Sequence, residues 1–153
     1  MAGWVALATG YLHAYLAMYQ RVPLALDGMG VGAVSPRVVV ILLGSLAVAS
    51  LEHGLDPRLV AAVMMVESSG NPAATNGRCV GLMQVNVPVW QRALSLDEAR
   101  MTEPLYNLRA GCRILRHYLD IEQDDVRRAL RRYHGARSWR YAERVLRVWE
   151  GSN

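Results

Sequence analysis

The chain has 153 residues, 52% of them hydrophobic and 20% charged, with a net charge of +4 from 17 basic and 13 acidic side chains. That length gives one compact domain, and the apolar content excludes a disordered chain or linker. No segment recurs, which excludes a repeat architecture, and every basic residue is Arg, so each cationic contact is made by a guanidinium.

Charge is unevenly spread: residues 1–50 hold only Arg21, Asp27 and Arg37. Ala2 to Gln20 is a run of 19 residues without a formal charge. As a helix it would span about 28 Å, close to a bilayer core. Its His13, two Gly and the rings of Trp4, Tyr11, Tyr15 and Tyr19 suit a buried or interfacial helix equally well. Residues 1–35 are expected as an apolar N-terminal segment, membrane-associated or packed as a helix, ahead of a domain over 36–153.

Val38 to Leu51 is a second apolar run. Arg37 before it and Ala47-Val48-Ala49 near its end imitate a signal-peptide core, but a signal starts near the N-terminus and this run begins 37 residues in. Ser35-Pro36 supplies an N-cap and a first-turn proline, and His53-Gly54 a stop, so a buried core helix is expected. Asp56-Pro57 opens the next helix, which is apolar nearly all round and ends at Ser69-Gly70, with Gly70 suited to the left-handed terminal position. Ala73 to Val89 reads as loop, or loop with a short hairpin.

Ser95 to Glu98 has the pattern of a capping box for a short helix. A longer helix from about Leu105 to Ile121 places Leu105, Leu108, Cys112, Leu115 and Leu119 on one face. Asp124 or Asp125 caps a helix through Val126, Ala129, Leu130 and Tyr133, and Ser138 caps a last one through Tyr141, Val145 and Trp149. With no sustained alternation of period two, the class is mainly α.

Glu67 is the only carboxylate between Asp56 and Asp97, and it lies near the end of an otherwise hydrophobic helix. Burial and the negative end of the helix dipole both disfavour its ionised form, which leaves a protonated acid at neutral pH, the state a general acid needs. By itself such a residue also reads as a solvated helix-end glutamate.

Residues 54–90 carry Glu67-Ser68 and, 13 residues on, Gly81-Leu82-Met83-Gln84; Tyr133-His134-Gly135-Ala136 follows much later. In these motifs the chain resembles the soluble lytic transglycosylases, lysozyme-like enzymes that cleave peptidoglycan. Asn107-Leu108 with Gly111 and Leu115 resembles the family's intervening helix, and the likeness runs over about residues 39–149. The departure is His134, which stands where the family usually has Asn, with Gly135-Ala136 in reversed order.

The resemblance implies a lysozyme-like helical domain, with a loop or short hairpin after the catalytic helix, plus the apolar N-terminal helix. It also implies a chemistry. Glu67 would protonate the oxygen joining N-acetylmuramic acid to N-acetylglucosamine. It would then act as base toward the muramoyl 6-hydroxyl, closing a 1,6-anhydro ring. One carboxylate suffices, whereas retaining or inverting hydrolysis needs a second at about 5 Å or about 6.5–9.5 Å. The candidates for that second group, Asp97, Glu98 and Glu103, sit at helix starts and are better explained as helix-end charges.

Substrate contacts implied by the resemblance are Ser68 and Ser69 beside the acid, the Gly81-Leu82-Met83-Gln84 turn, and Tyr133, His134 and Tyr141 lining the groove. Met83 reads either as a sugar-facing surface or as core, and His134 brings a charge that changes within the physiological range. Trp90, Trp139 and Trp149 are assigned to the core. No cofactor or metal site is expected, because the four His are scattered among different helices.

Cys79 and Cys112 form either a disulfide or a reduced buried pair. Residues 125–150 hold eight Arg against three acids, read as a solvated face or as attraction to the anionic wall rather than nucleic-acid binding. The expected partner is the peptidoglycan glycan strand, without nucleic acid, and with membrane contact through residues 2–20 left open. The expected location is the cell envelope, on its periplasmic or extracellular face, or the virion. A non-enzymatic virion or envelope component of lysozyme-like shape is the rival of a different class.

Overall fold

The computed structural model describes residues 36–135 and 138–151. In chain order these form α1 (Pro36–Glu52), α2 (Pro57–Ser68), β1 (Thr75–Asn76), β2 (Cys79–Val80), β3 (Val85–Asn86) and α3 (Val87–Leu94). A 3-10 turn (Glu98–Arg100), α4 (Pro104–Ile121), α5 (Val126–Tyr133) and α6 (Trp139–Glu150) complete the described chain. The mainly α class holds. The apolar run 2–20 lies outside the described residues; among those described, no helix is long and apolar enough to cross a membrane.

The segment read as loop or hairpin is a three-stranded antiparallel meander in the order β1-β2-β3. Thr75 pairs with Val80 and Asn76 with Cys79, then Cys79 with Asn86 and Val80 with Val85. Pro88 does not prolong this loop. It sits in the first turn of α3, where its missing N–H costs nothing.

The caps hold with two shifts. Asp56, Asp125 and Ser138 each accept a backbone N–H at the start of α2, α5 and α6. The capping box expected at Ser95 does not form. Ser95 terminates α3 in the left-handed region (φ 52), and Asp97 caps the 3-10 turn instead. At the end of α2, Ser69 also takes the left-handed position (φ 52), and Gly70 follows at φ 77.

The core sits where α2 meets α6 and where α4 meets α1 and α5. Leu59 through Met64 of α2 are buried, as are Leu108, Cys112, Leu115 and Leu119 on the expected face of α4. Full burial of each such Leu contributes about 1.5–3 kcal/mol. The helix α1 differs from expectation. It buries Leu43, Leu46 and Ala49 but leaves Val40, Ile41 and Leu51 more than half exposed, so it is a one-sided helix rather than a buried one. Glu52 at its end holds Arg109 of α4 at 2.6 Å.

Candidate active site

Glu67 occupies the last turn of α2, and the position fixes its chemistry. Burial raises the pKa of its carboxyl above the ordinary carboxylate value, against the opposing pull of the Tyr141 hydrogen bond and the Arg144 charge. The Tyr141 hydroxyl donates to Glu67 Oε1 at 2.6 Å. Burial also holds that phenol well above its usual pKa, so it stays a neutral donor. The His134 imidazole stacks on the Tyr141 ring, with centroids 4.3 Å apart and planes 4° from parallel. Tyr141 thus reaches the acid directly, His134 touches it only through the Tyr141 ring, and Tyr133 serves elsewhere.

Tyr133 supports the turn over 81–84 by donating its hydroxyl to Met83 O at 2.7 Å. Ser68 does the same from α2. Its Oγ bonds lie at 2.8 Å to Leu82 O and 3.1 Å to Met64 O, so it ties α2 to the turn rather than holding the carboxyl. Gln84, at φ 44, gives both amide protons to Ala74 O and Gly81 O, each at 3.0 Å. Leu82 and Met83 are fully buried, which settles Met83 as core.

The residue at the centre of this scaffold is Asn107. It is fully buried on α4, accepts from Met83 N at 2.8 Å, and donates to Val80 O and Met101 O at 2.9 Å. Gly81 is needed because of it. At φ 81, a Cβ there would lie 2.2 Å from Asn107 Nδ2 and 2.5 Å from Met101 O. The close approach at Gly81 is therefore to the protein's own scaffold. Asn107 was visible in sequence only as part of the Asn107-Leu108 pair; its place four residues before Gly111, on the face that turns inward, was the usable signal.

Among the described residues no other carboxylate acts on Glu67. Its hydrogen bond comes from Tyr141 and the charge acting on it from Arg144. Asp97 is engaged as a cap and Glu103 pairs with Arg100 at 2.8 Å. Both cysteines are free thiols, Cys79 half-buried on β2 and Cys112 buried on α4, where burial pushes its pKa to about 12. Among the described residues no group of three or more His, Cys, Asp or Glu comes together.

Two of the three tryptophans assigned to the core keep to it. Trp90 packs edge-on against His117 and Tyr118, and Trp149 donates Nε1 to Asp56 Oδ2 at 3.2 Å. Trp139 does not. It is 39% exposed, with the guanidinium carbons of Arg127 and Arg131 at 4.8 and 4.5 Å from its ring. Part of the Arg run is neutralised locally, by Arg127 with Glu143, Arg128 with Asp125 and Arg132 with Glu122.

The family model described as Transglycosylase SLT domain matches residues 45–142, a span that includes Glu67, the 81–84 turn, His134 and Tyr141. Over 92 residues the chain is 42% identical to a protein of Enterobacteria phage PRD1 described as "Transglycosylase". That match covers 60% of this chain and 33% of the phage protein, so the chain spans about a third of the length of its relative. No solved structure matches it significantly.

Proposed function

Since the chain belongs to the soluble lytic transglycosylase family, we propose that it cleaves the β-1,4 bond between N-acetylmuramic acid and N-acetylglucosamine in peptidoglycan, with Glu67 as its single acid and base. The observation that carries this reading is the setting of Glu67: a part-buried carboxyl of raised proton affinity, held at one oxygen by Tyr141, with no second carboxylate among the described residues acting on it.

The chemistry follows from that setting. Tyr141 engages Oε1, which leaves Oε2 to carry a proton to the glycosidic oxygen. The raised pKa favours retention of that proton until it is delivered. Once the bond breaks, the carboxylate accepts the proton of the muramoyl 6-hydroxyl, and the 1,6-anhydro ring closes with no water consumed. The neighbouring turn forms a fixed wall beside the acid, and with both Gln84 amide protons given to Ala74 O and Gly81 O it offers substrate the Gln84 side-chain oxygen. Tyr133, Ser68 and Asn107 keep that turn at a fixed distance from α2. The site of action is the cell wall, reached from the virion or within the envelope.

The test is digestion of purified peptidoglycan by the wild type and by Glu67→Gln, with muropeptides resolved by mass spectrometry. Products lighter by one water that vanish in the variant are expected. Reducing ends in their place would make the enzyme a muramidase. The absence of cleavage by folded wild-type protein would put the non-enzymatic reading first.

A further inference from the structure

His134 caps the C-terminal end of α5 and is exposed to solvent, yet its ring is not idle. It covers one face of Tyr141, whose hydroxyl holds Glu67. Imidazole, phenol and carboxyl thus form a continuous column from the surface to the buried acid. We propose that His134 is a positioning residue that sets the proton affinity of Glu67 through Tyr141.

Two effects of the stack are separable. The first is steric. Parallel rings at 4.3 Å restrain the Tyr141 plane, and so restrain the direction of its single O–H donor. The second is electrostatic. Imidazole is the side chain that gains charge between pH 5 and 8. A cation over the phenol face is attracted to the ring, polarises the O–H toward Glu67 and favours the ionised carboxylate. A charged imidazole over that ring therefore favours the base form of Glu67, and an uncharged ring does not. The other groups around Glu67 are Arg144 on α6, which also favours the ionised form, and Tyr133 on α5 and Cys79 on β2, whose own ionisation it opposes. Among the described residues no carboxylate pairs with His134 to fix its charge.

The inference rests on Glu67 being the working acid, and the experiment separates the two claims. The full chain, carboxyl-labelled with 13C at Glu, is titrated by NMR without substrate as wild type, His134→Phe and His134→Asn. The Phe variant keeps a stacked ring without charge, and the Asn variant keeps neither. The wild-type Glu67 curve is expected to carry a second inflection that follows the imidazole. In both variants that inflection disappears and the Glu67 midpoint rises by about half a pH unit, the order set by one charge several ångströms away near a surface.

Identical Glu67 curves in the three proteins would overturn the coupling whatever the activity. Rate profiles on peptidoglycan should then follow the NMR, with the alkaline limb moving up by the same amount in both variants. Shifted Glu67 curves with unmoved rate profiles would leave the coupling standing and remove Glu67 from the role of acid.

Discussion

The Tyr141 hydroxyl reaches Glu67 Oε1 at 2.6 Å across 74 residues of chain, joining the last helix of the domain to the end of the helix that carries the acid. This bond favours the ionised carboxyl, so its loss in Tyr141→Phe should raise the Glu67 pKa further. Hydrogen bonds to charged groups are worth about 1.5–3 kcal/mol. A fall in kcat of about ten- to a hundredfold is expected, together with an alkaline limb displaced to higher pH. A pH–rate profile of the variant reads both, and an unchanged limb would mean that the phenol does not address the catalytic proton.

A buried acid of raised pKa also costs stability when it ionises. The folded pKa of Glu67 exceeds the unfolded one, so between the two the folded protein binds more protons and stability falls as pH rises. Glu67→Gln keeps the acceptor for Tyr141 and removes the charge. Its melting temperature relative to wild type should therefore climb from pH 4 to pH 8. A constant difference across that range would show that burial does not disfavour the charge.

Glycines of similar backbone conformation should respond very differently to a methyl group. Gly81 (φ 81) has no room beside Asn107 and the Met101 carbonyl, whereas Gly77 (φ 61) has nothing within 4 Å. Gly81→Ala combines strain with overpacking and should cost about 3 kcal/mol or more; Gly77→Ala should cost about 1 kcal/mol. Urea denaturation of the pair separates the two terms.

Asn107→Ala leaves Met83 N, Val80 O and Met101 O without the partner that each now has. With three buried backbone groups affected, a loss of about 3–5 kcal/mol is expected. The accompanying loss of activity should exceed that of surface variants, because the same bonds seat the 81–84 turn against α2. A denaturant midpoint within experimental error of the wild type would contradict this account.

Asp56 ties the start of α2 to α6 through a cap, an ion pair with Arg58 and the Trp149 indole. Burial pushes its carboxyl up, but the bonds from Arg58 and Trp149 prevail and hold it below the usual value. Its folded pKa is thus below the unfolded one, and the stability it brings at neutral pH is lost as pH falls through the folded pKa. Trp149→Phe should cost about 1 kcal/mol at pH 7 and less in strong acid. Thermal melts at both pH values check the sign.

Much of this domain was legible in the chain itself because the signals are local. Asp56, Asp125 and Ser138 announce their helices by capping chemistry within a few residues. The α4 stripe of Leu108, Cys112, Leu115 and Leu119 follows from period alone. Glu67 stood out as a lone carboxylate in an apolar helix. The misreadings are equally instructive. Pro88 begins a helix and Ser95 ends one, and a single dipeptide or box cannot tell a start from a stop without the flanking hydrogen bonds.

What only the tertiary structure decided is how side chains distant in sequence divide the work. Ser68 and Tyr133 turn out to hold carbonyls of the 81–84 turn, Met83 is core, and Tyr141 alone reaches the acid. Asn107 becomes the hub because three backbone groups from separate segments converge on one buried amide. Trp139 lies outside because α6 turns its other face to the core. Composition and period determine which residues leave water. Which polar group each of them then meets depends on how helices far apart in the chain cross, and that crossing is fixed by packing of the whole core.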